Sequence, residues 1–265
     1  MQRSTGRGRL SVKADASGRT RLCELFQEGS ARIRTPNSHS GAHMQAVLLN
    51  TSGGMTGGDS LDWHVEAQQA THLSVATQTA ERLYRTTADT ARLDIRLEAA
   101  QQSALHWLAQ ETILFNEGGL QRTISAHLAA DAELLICEPV IYGRAAMGET
   151  VTRGTLRDDW RIYRDGRLIH AEAFRLDGAI AARLDHAAIA GGARAAATVA
   201  LFSMRGEGLM DQVRAIIGPA GGASHLHGKL LCRLLAPDAL ALRKRLIPLL
   251  SALRGGHALP RCWHC

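Results

Sequence analysis

The chain has few lysines, no long apolar run and no paired set of cysteines. Only three lysines stand among its 31 basic residues. No recognition-helix, RNP or zinc-finger pattern accompanies the basic charge, so the sequence pI of about 9.4 is weak support for a nucleic-acid partner. The longest stretch without Asp, Glu, Lys or Arg, residues 35–58, is built from Asn, Ser, His and Gly, which excludes a membrane span there. Residues 1–18 (MQRSTGRGRLSVKADASG) are basic but hold no apolar segment, so no secretory signal is expected and the cytoplasm is the expected compartment. Five cysteines, an odd number and widely spaced, argue for reduced thiols over a disulfide framework. HExxH, GxSxG and a GxGxxG following a strand are all missing. GASHLHGK at 222–229 resembles a phosphate loop, but it is one residue too long and Leu230 stands where a magnesium-binding hydroxyl is required.

What remains is an ordinary globular composition, 45% hydrophobic and 21% charged, in a chain long enough for one substantial core. The net charge of +6 is uneven. Residues 1–34 carry +5 and residues 241–265 carry +5, around a body of −4. Two basic ends suit docking to acidic protein surfaces.

The first two thirds reads as β. Leu61, Trp63, Val65 and Ala67 alternate with Asp62, His64 and Glu66, and Leu93, Ile95 and Leu97 alternate with charged residues, as in strands with one wet face. Asp165-Gly166 between two such runs predicts a hairpin. Many short runs separated by Gly and Asn turns predict stacked antiparallel sheets, with no repeat that aligns and no linker dividing the single domain 1–265. Helix is expected around 195–214 and, most clearly, over 238–253. There Asp238 caps the first turn and Leu240, Leu246, Leu249, Leu250 and Leu253 form an apolar stripe, with Pro248 expected to kink or divide the helix. That stripe either packs on the protein's own core or receives a partner.

Chemistry-bearing residues are dispersed. The glycine-rich segment 50–59 ends in Asp59, which either bonds the turn's own amides or presents a carboxylate to a metal or partner. Glu111, Glu138 and Glu149 lie in apolar settings. A buried carboxylate needs a cation or water, so each either pairs with an arginine such as Arg122 or Arg144, or lines a wet path for a divalent ion. His225 and His227 alternate and could point the same way from a strand. His39 and His43 have helical ligand spacing within a loop composition. Cys262, His264 and Cys265 at the tail supply at most three ligands, a weak signal for a structural zinc site, where four are normal.

Seven blocks in order carry a resemblance: LLNTSGGMTGGD (48–59), TQTAERLYR (77–85), WLAQETILF (107–115), EPVIYGRAAMGE (138–149), YRDGRL (163–168), GASHLHGKLLCRLL (222–235) and PRCW (260–263). Together they resemble the urease accessory protein UreD (UreH) family. Two departures stand out: Ala109 where the family has Pro before Gln-Glu, and Arg82 where it often has Lys. The resemblance implies a mainly β fold of stacked or helically wound β-sheets, with a few α-helices mostly in the C-terminal third. It also implies a non-catalytic urease maturation factor that joins UreF, and through it the GTPase UreG, to apo-urease. GTP hydrolysis by UreG would be coupled to delivery of nickel, which is in transit and not bound tightly.

On that reading, carboxylates and imidazoles that bind a divalent ion weakly and in series make Asp59, Glu111, Glu138, Glu149, His225 and His227 the candidate nickel path. The C-terminal residues Leu246, Leu250, Leu253, Arg261 and Trp263 become the candidate docking region, and truncation after Leu235 should then abolish UreF binding. The resemblance implies neither a nucleic-acid nor a membrane partner. A metal-dependent hydrolase, which should turn over a substrate unaided, and a basic nucleic-acid binder, whose affinity should fall steeply with salt, are the rival classes.

Overall fold

The computed structural model describes every residue except 1–2, 37–42, 88, 145–146 and 265. In chain order the strands are β1 (Thr5–Ala14), β2 (Thr20–Gly29), β3 (Ala31–Arg34), β4 (Met44–Asn50), β5 (Ser60–Ala67), β6 (His72–Thr77), β7 (Glu81–Leu83), β8 (Ala91–Ala99), β9 (Ala104–Leu108), β10 (Thr112–Leu114), β11 (Gly119–Leu128), β12 (Glu133–Tyr142), β13 (Arg153–Arg164) and β14 (Arg167–Ala179). Helix α1 (Ile180–Asp185) and β15 (Ala195–Phe202) follow, then α2 (Met210–Ile217), β16 (Gly221–Leu226), β17 (Lys229–Ala236) and α3 (Ala239–Leu253). Strands dominate at 53% of the chain, and the helices gather toward the C-terminus as expected.

Two sheets are stacked. One runs β14-β13-β11-β8-β5-β1-β2, and the other β16-β17-β15-β12-β9-β6-β4-β3, with β7 and β10 attached through β12. The expectation of antiparallel sheets is corrected here. β1, β5, β8, β11 and β13 are all parallel neighbours, as are β4, β6, β9 and β12. From β5 to β13 the chain crosses to the opposite sheet after each long strand, so every parallel neighbour is reached by way of the other sheet. A strand therefore does the job that a crossover helix does in α/β proteins. The result is a wound coil of about 30 residues per turn, a structural repeat whose sequences do not align. Among the named strands, antiparallel pairing is confined to β1–β2, β3–β4, β13–β14 and the run β12–β15–β17–β16.

The two sheets have different burial, and the sequence follows it. The first sheet buries one face, so β5 and β8 alternate between buried and partly wet positions. The second is covered on both faces at its centre. All of β9 is buried, and β12 is buried from Leu134 to Tyr142. A sheet covered on both sides reads as a continuous apolar run, as in Leu134-Leu135-Ile136-Cys137. One core fills the space between the sheets, around Trp63, Trp107, Trp160, Ile136 and Phe202. A second lies between the outer face of the second sheet and α2 and α3.

The Asp165-Gly166 hairpin forms as expected, with φ of 47° and 76° at the two turn residues. Residues 195–202 are strand β15 and not helix; their alanines are small enough to pack between β12 and β17. Helix begins only at a 3-10 turn over Met204–Leu209.

The C-terminal helix is present and capped, the Asp238 side chain accepting from the Ala241 amide at 2.8 Å. It runs through Pro248 without being divided. Its buried stripe is Leu242, Leu246, Leu249, Leu250 and Leu253, whereas Leu240 is 65% exposed. The stripe packs against the protein's own second sheet, so Leu246, Leu250 and Leu253 are core residues and not a docking face. Trp263 joins the same core at 1% exposure, while Arg261 is exposed.

Candidate functional site

The glycine-rich loop between β4 and β5 lies flat on β7. Met55 bridges to Leu83, the Met55 amide donates to the Arg82 carbonyl (2.7 Å), and the Tyr84 amide donates to the Met55 carbonyl (2.8 Å). Gly54 has φ of 146°, and a Cβ there would sit 2.7 Å from the Arg82 carbonyl oxygen and 2.5 Å from the Tyr84 ring, so only glycine allows the approach. Asp59 is buried and accepts from the Ser4 and Thr56 amides, both at 2.8 Å. It closes the turn and ties the N-terminus to it.

Glu81, which the sequence reading did not single out, sits beneath this loop. Its Oε1 accepts from Asn50 Nδ2 at 3.1 Å. A small recess of about 90 Å³ opens beside it. Burial pushes this carboxyl up to about 7, and the Asn50 bond offsets only part of that. The acid form is therefore favoured in the folded chain. Stability from this group is full below about pH 4.5 and is lost as pH rises toward 7, a loss of about 3 kcal/mol if no other group compensates. Glu81→Gln should flatten this part of the Tm–pH curve and raise Tm at pH 8 by about 5 °C relative to the parent. Matching curves for variant and parent between pH 4.5 and 8 would show that Glu81 ionises normally.

The centre of the molecule holds a buried charge network. Arg122 on β11 is in register with Asp158 on β13, and Glu138 reaches them from β12 in the facing sheet. The guanidinium binds Asp158 through two nitrogens, Nε at 3.0 Å, and also donates to Glu138. Trp160 Nε1 donates to Asp158 at 2.8 Å, and Trp107 Nε1 donates to Glu138 at 2.7 Å. Burial pushes Glu138 up to about 7; Arg122 opposes this and Asp158 reinforces it. These groups form the floor of a cavity of about 340 Å³ between the sheets, whose walls include Tyr142, Glu172, Thr198 and Arg233.

The other candidates lie apart. Glu149 accepts from Arg144 Nε at 2.8 Å and Nη2 at 3.1 Å, and from the Asn116 amide. Arg144 in turn lies over the Phe115 ring. Glu111 is ion-paired with Arg243 of α3 at 3.3 Å. Arg243 also donates to Gln110 at 2.6 Å, and Gln110 donates to the Cys262 carbonyl, so this cluster holds the C-terminal segment. His225 is on β16 with a buried Nε2 that has no hydrogen-bond partner, whereas His227 lies in the following turn with φ of 50°. The two do not share a strand face, because the chain reverses between them. Glu138 and Glu149 thus have the arginine partners the sequence offered. Among the described residues no group of three or more His, Cys, Asp or Glu is placed so that it could hold a metal ion. His39 and Cys265 lie outside the described residues.

Four histidines that the sequence scatters are gathered at the far end of the second sheet. His43, His72, His106 and His257 face one cavity of about 350 Å³. Only the coil brings them together, since β6 and β9 are parallel neighbours with Ser74 opposite His106. The period of the coil was the one signal that could have aligned them.

The model of the UreD urease accessory protein family matches residues 4–264. The chain belongs to the UreD family. It is 47% identical over 264 residues to a urease accessory protein UreD of Rhizobium leguminosarum bv. viciae, covering 99% of this chain and 96% of that one. The UreD of Agrobacterium fabrum is 44% identical over 99% of this chain and 92% of its own length. UreD 1 of Brucella abortus is 44% identical over 99% and 95%.

The blocks that carried the UreD resemblance now have a place. The glycine loop, β7, β10 and the end of β12 are consecutive neighbours: Met55 bridges Leu83, β7 pairs β10, and β10 pairs β12. One edge of the coil therefore collects four of the seven motifs, with Glu81 and Arg144–Glu149 along it. No helix among the described residues is long and apolar enough to cross a membrane.

Proposed function

We propose that this chain is a non-catalytic urease maturation factor, a scaffold that joins UreF and the GTPase UreG to apo-urease and helps nickel reach the urease active site, with GTP hydrolysis by UreG driving the transfer. The family match across residues 4–264 carries this reading. The interior is consistent with it. A divalent ion in transit needs oxygen donors that hold it weakly, and Glu138, Asp158 and Glu172 line a cavity between the sheets. Burial raises the proton affinity of Glu81 and Glu138 above that of an ordinary carboxylate, so each could take up a proton as a passing cation leaves. The proposed compartment is the cytoplasm.

The docking face proposed for α3 moves from its buried stripe to its outer side, where Leu240, Lys244 and Pro248 are exposed one turn apart. The edge strand β2 offers a second surface, with Leu22, Leu25 and Phe26 exposed.

The test is co-purification with UreF, UreG and apo-urease, followed by nickel activation. The full chain should enter the complex and raise the nickel content of urease. Glu138→Gln should enter the complex equally but load less nickel, and Leu240→Glu with Lys244→Glu should weaken UreF capture by about tenfold or more. Urease that acquires its full nickel without the chain would end the maturation reading. Normal loading by Glu81→Gln and Glu138→Gln in intact complexes would remove both residues from the path.

A further inference from the structure

Arg254, the residue that ends α3, is 4% exposed and carries its charge without an acid beside it among the described residues. Its Nη1 donates to the Ser74 hydroxyl at 3.1 Å and its Nη2 to the Ala258 carbonyl at 3.0 Å, while Nε is buried with no hydrogen-bond partner. By contrast, Arg122 lies between Glu138 and Asp158, Arg205 binds Glu133, and Arg243 pairs with Glu111. Burial pushes Arg254 down to about 10, so it remains a cation at neutral pH. A buried charge met by neutral oxygens alone is costly, and an anion brought beside it would relieve that cost.

Arg254 forms part of the wall of the histidine cavity. His72 opens β6 two residues before Ser74, and His106 on β9 lies opposite Ser74. His257 sits on the loop after α3, set there by Gly255 and Gly256 in left-handed conformations. The His43 ring lies between the other two, 4.6 Å from the His72 centroid and 4.6 Å from that of His257. Burial lowers His43, His72 and His106 below the usual imidazole range, and the Arg254 charge lowers His43 and His106 further. The two acids of the cavity leave Arg254 unanswered. Glu133 is held by Arg205 through Nε and Nη2 at 2.7 Å each and meets His106 at 3.2 Å. Asp131 is exposed and accepts from the Gln102 amide.

We infer that Arg254, Ser74, His72 and His257 form a binding site for a small divalent oxyanion of the sulfate or phosphate type. The Ser74 oxygen accepts from Arg254 and keeps its own proton to donate. The imidazoles add N–H donors from β6 and from the loop after α3. Both terminal nitrogens of Arg254 are already engaged, so flat two-point pairing with a carboxylate is not on offer. An ion whose oxygens point several ways suits these donors better. The cavity of about 350 Å³ has room for such an ion and several waters of about 30 Å³ each. The site needs no metal and no partner protein, so its test is independent of the maturation reading.

Sulfate keeps the same charge across the neutral range, so it is the probe. Calorimetric titration of the full chain at constant ionic strength should show one equivalent of sulfate bound, with phosphate competing. Affinity should fall about tenfold from about pH 6 to about pH 8, as His43, His72 and His106 give up the protons the anion draws onto them. Arg254→Met removes the charge and keeps the length. It should melt within about 3 °C of the parent in sulfate-free buffer, because no unpaired charge is left buried, yet bind sulfate about tenfold or more weakly. His257→Gln changes an exposed loop residue, leaves the core intact and should weaken sulfate about fivefold. His127→Ala, an exposed ring stacked on Tyr163 elsewhere, should bind as the parent does. The absence of saturable sulfate binding would overturn the site, as would equal affinity in the parent and His257→Gln together with any folded Arg254→Met.

Discussion

Arg122→Ala is expected to destabilise the chain by about 3–5 kcal/mol, a fall in Tm of roughly 5–9 °C for a domain of this size. Arg122 is 1% exposed, and it is the cation between Glu138 and Asp158, which are themselves buried. Removing it leaves two carboxylates facing each other across the sheets with, among the described residues, the two tryptophan N–H groups as their remaining side-chain donors. The penalty comes from stranded charge more than from lost packing, which gives the prediction a second arm. Arg122→Met combined with Glu138→Gln and Asp158→Asn removes all three charges and retains most of the volume, and should recover more than half of the loss. Urea denaturation of the single and triple variants measures both. A single variant within 1 kcal/mol of the parent would mean that water, and not Arg122, satisfies these acids.

This network also marks what could be read from the residues in advance. That Glu138 sits in an apolar run and needs an arginine follows from the cost of burying a charge, and Arg122 was one of the partners that argument offered. Asp158 did not stand out, because it precedes a strand-like Asp-Trp pattern that looks solvent-facing in isolation. Only the register of β11 on β13 turns it inward against Arg122. The same division holds for the fold. Alternation in β5 and β8 was legible because one face of that sheet is wet, and the Asp165-Gly166 turn was legible because its backbone demands those residues. Parallel pairing was not legible, because short strands and glycine turns look the same whether the next strand returns beside its predecessor or crosses to the other sheet. The histidine cavity was invisible for the same reason: His43, His72, His106 and His257 share no local pattern, and only the winding of the coil collects them.

Trp263→Ala should be nearly as damaging, at about 3–5 kcal/mol, although the residue lies almost at the chain end. Its ring is buried in the core beneath α3, its Nε1 donates to the Leu108 carbonyl at 3.2 Å, and the Arg243 guanidinium lies 5.3 Å above the ring centroid. Arg243 is the same side chain that pairs with Glu111 and Gln110, so the tryptophan, the helix and the WLAQETILF block form one clasp across the outer face of the second sheet. The PRCW block therefore reads as the fastening of α3. It follows that truncation after Leu235, which removes α3 and its five buried leucines along with Trp263, tests folding before it tests UreF binding. The two roles separate in a paired experiment. Trp263→Ala should lower the midpoint of thermal unfolding sharply and weaken UreF capture only as the folded fraction falls, whereas Leu240→Glu with Lys244→Glu should leave the midpoint within about 2 °C and still weaken capture. Trp263→Ala that melts like the parent yet no longer captures UreF would reverse the assignment and make the tryptophan a contact for the partner.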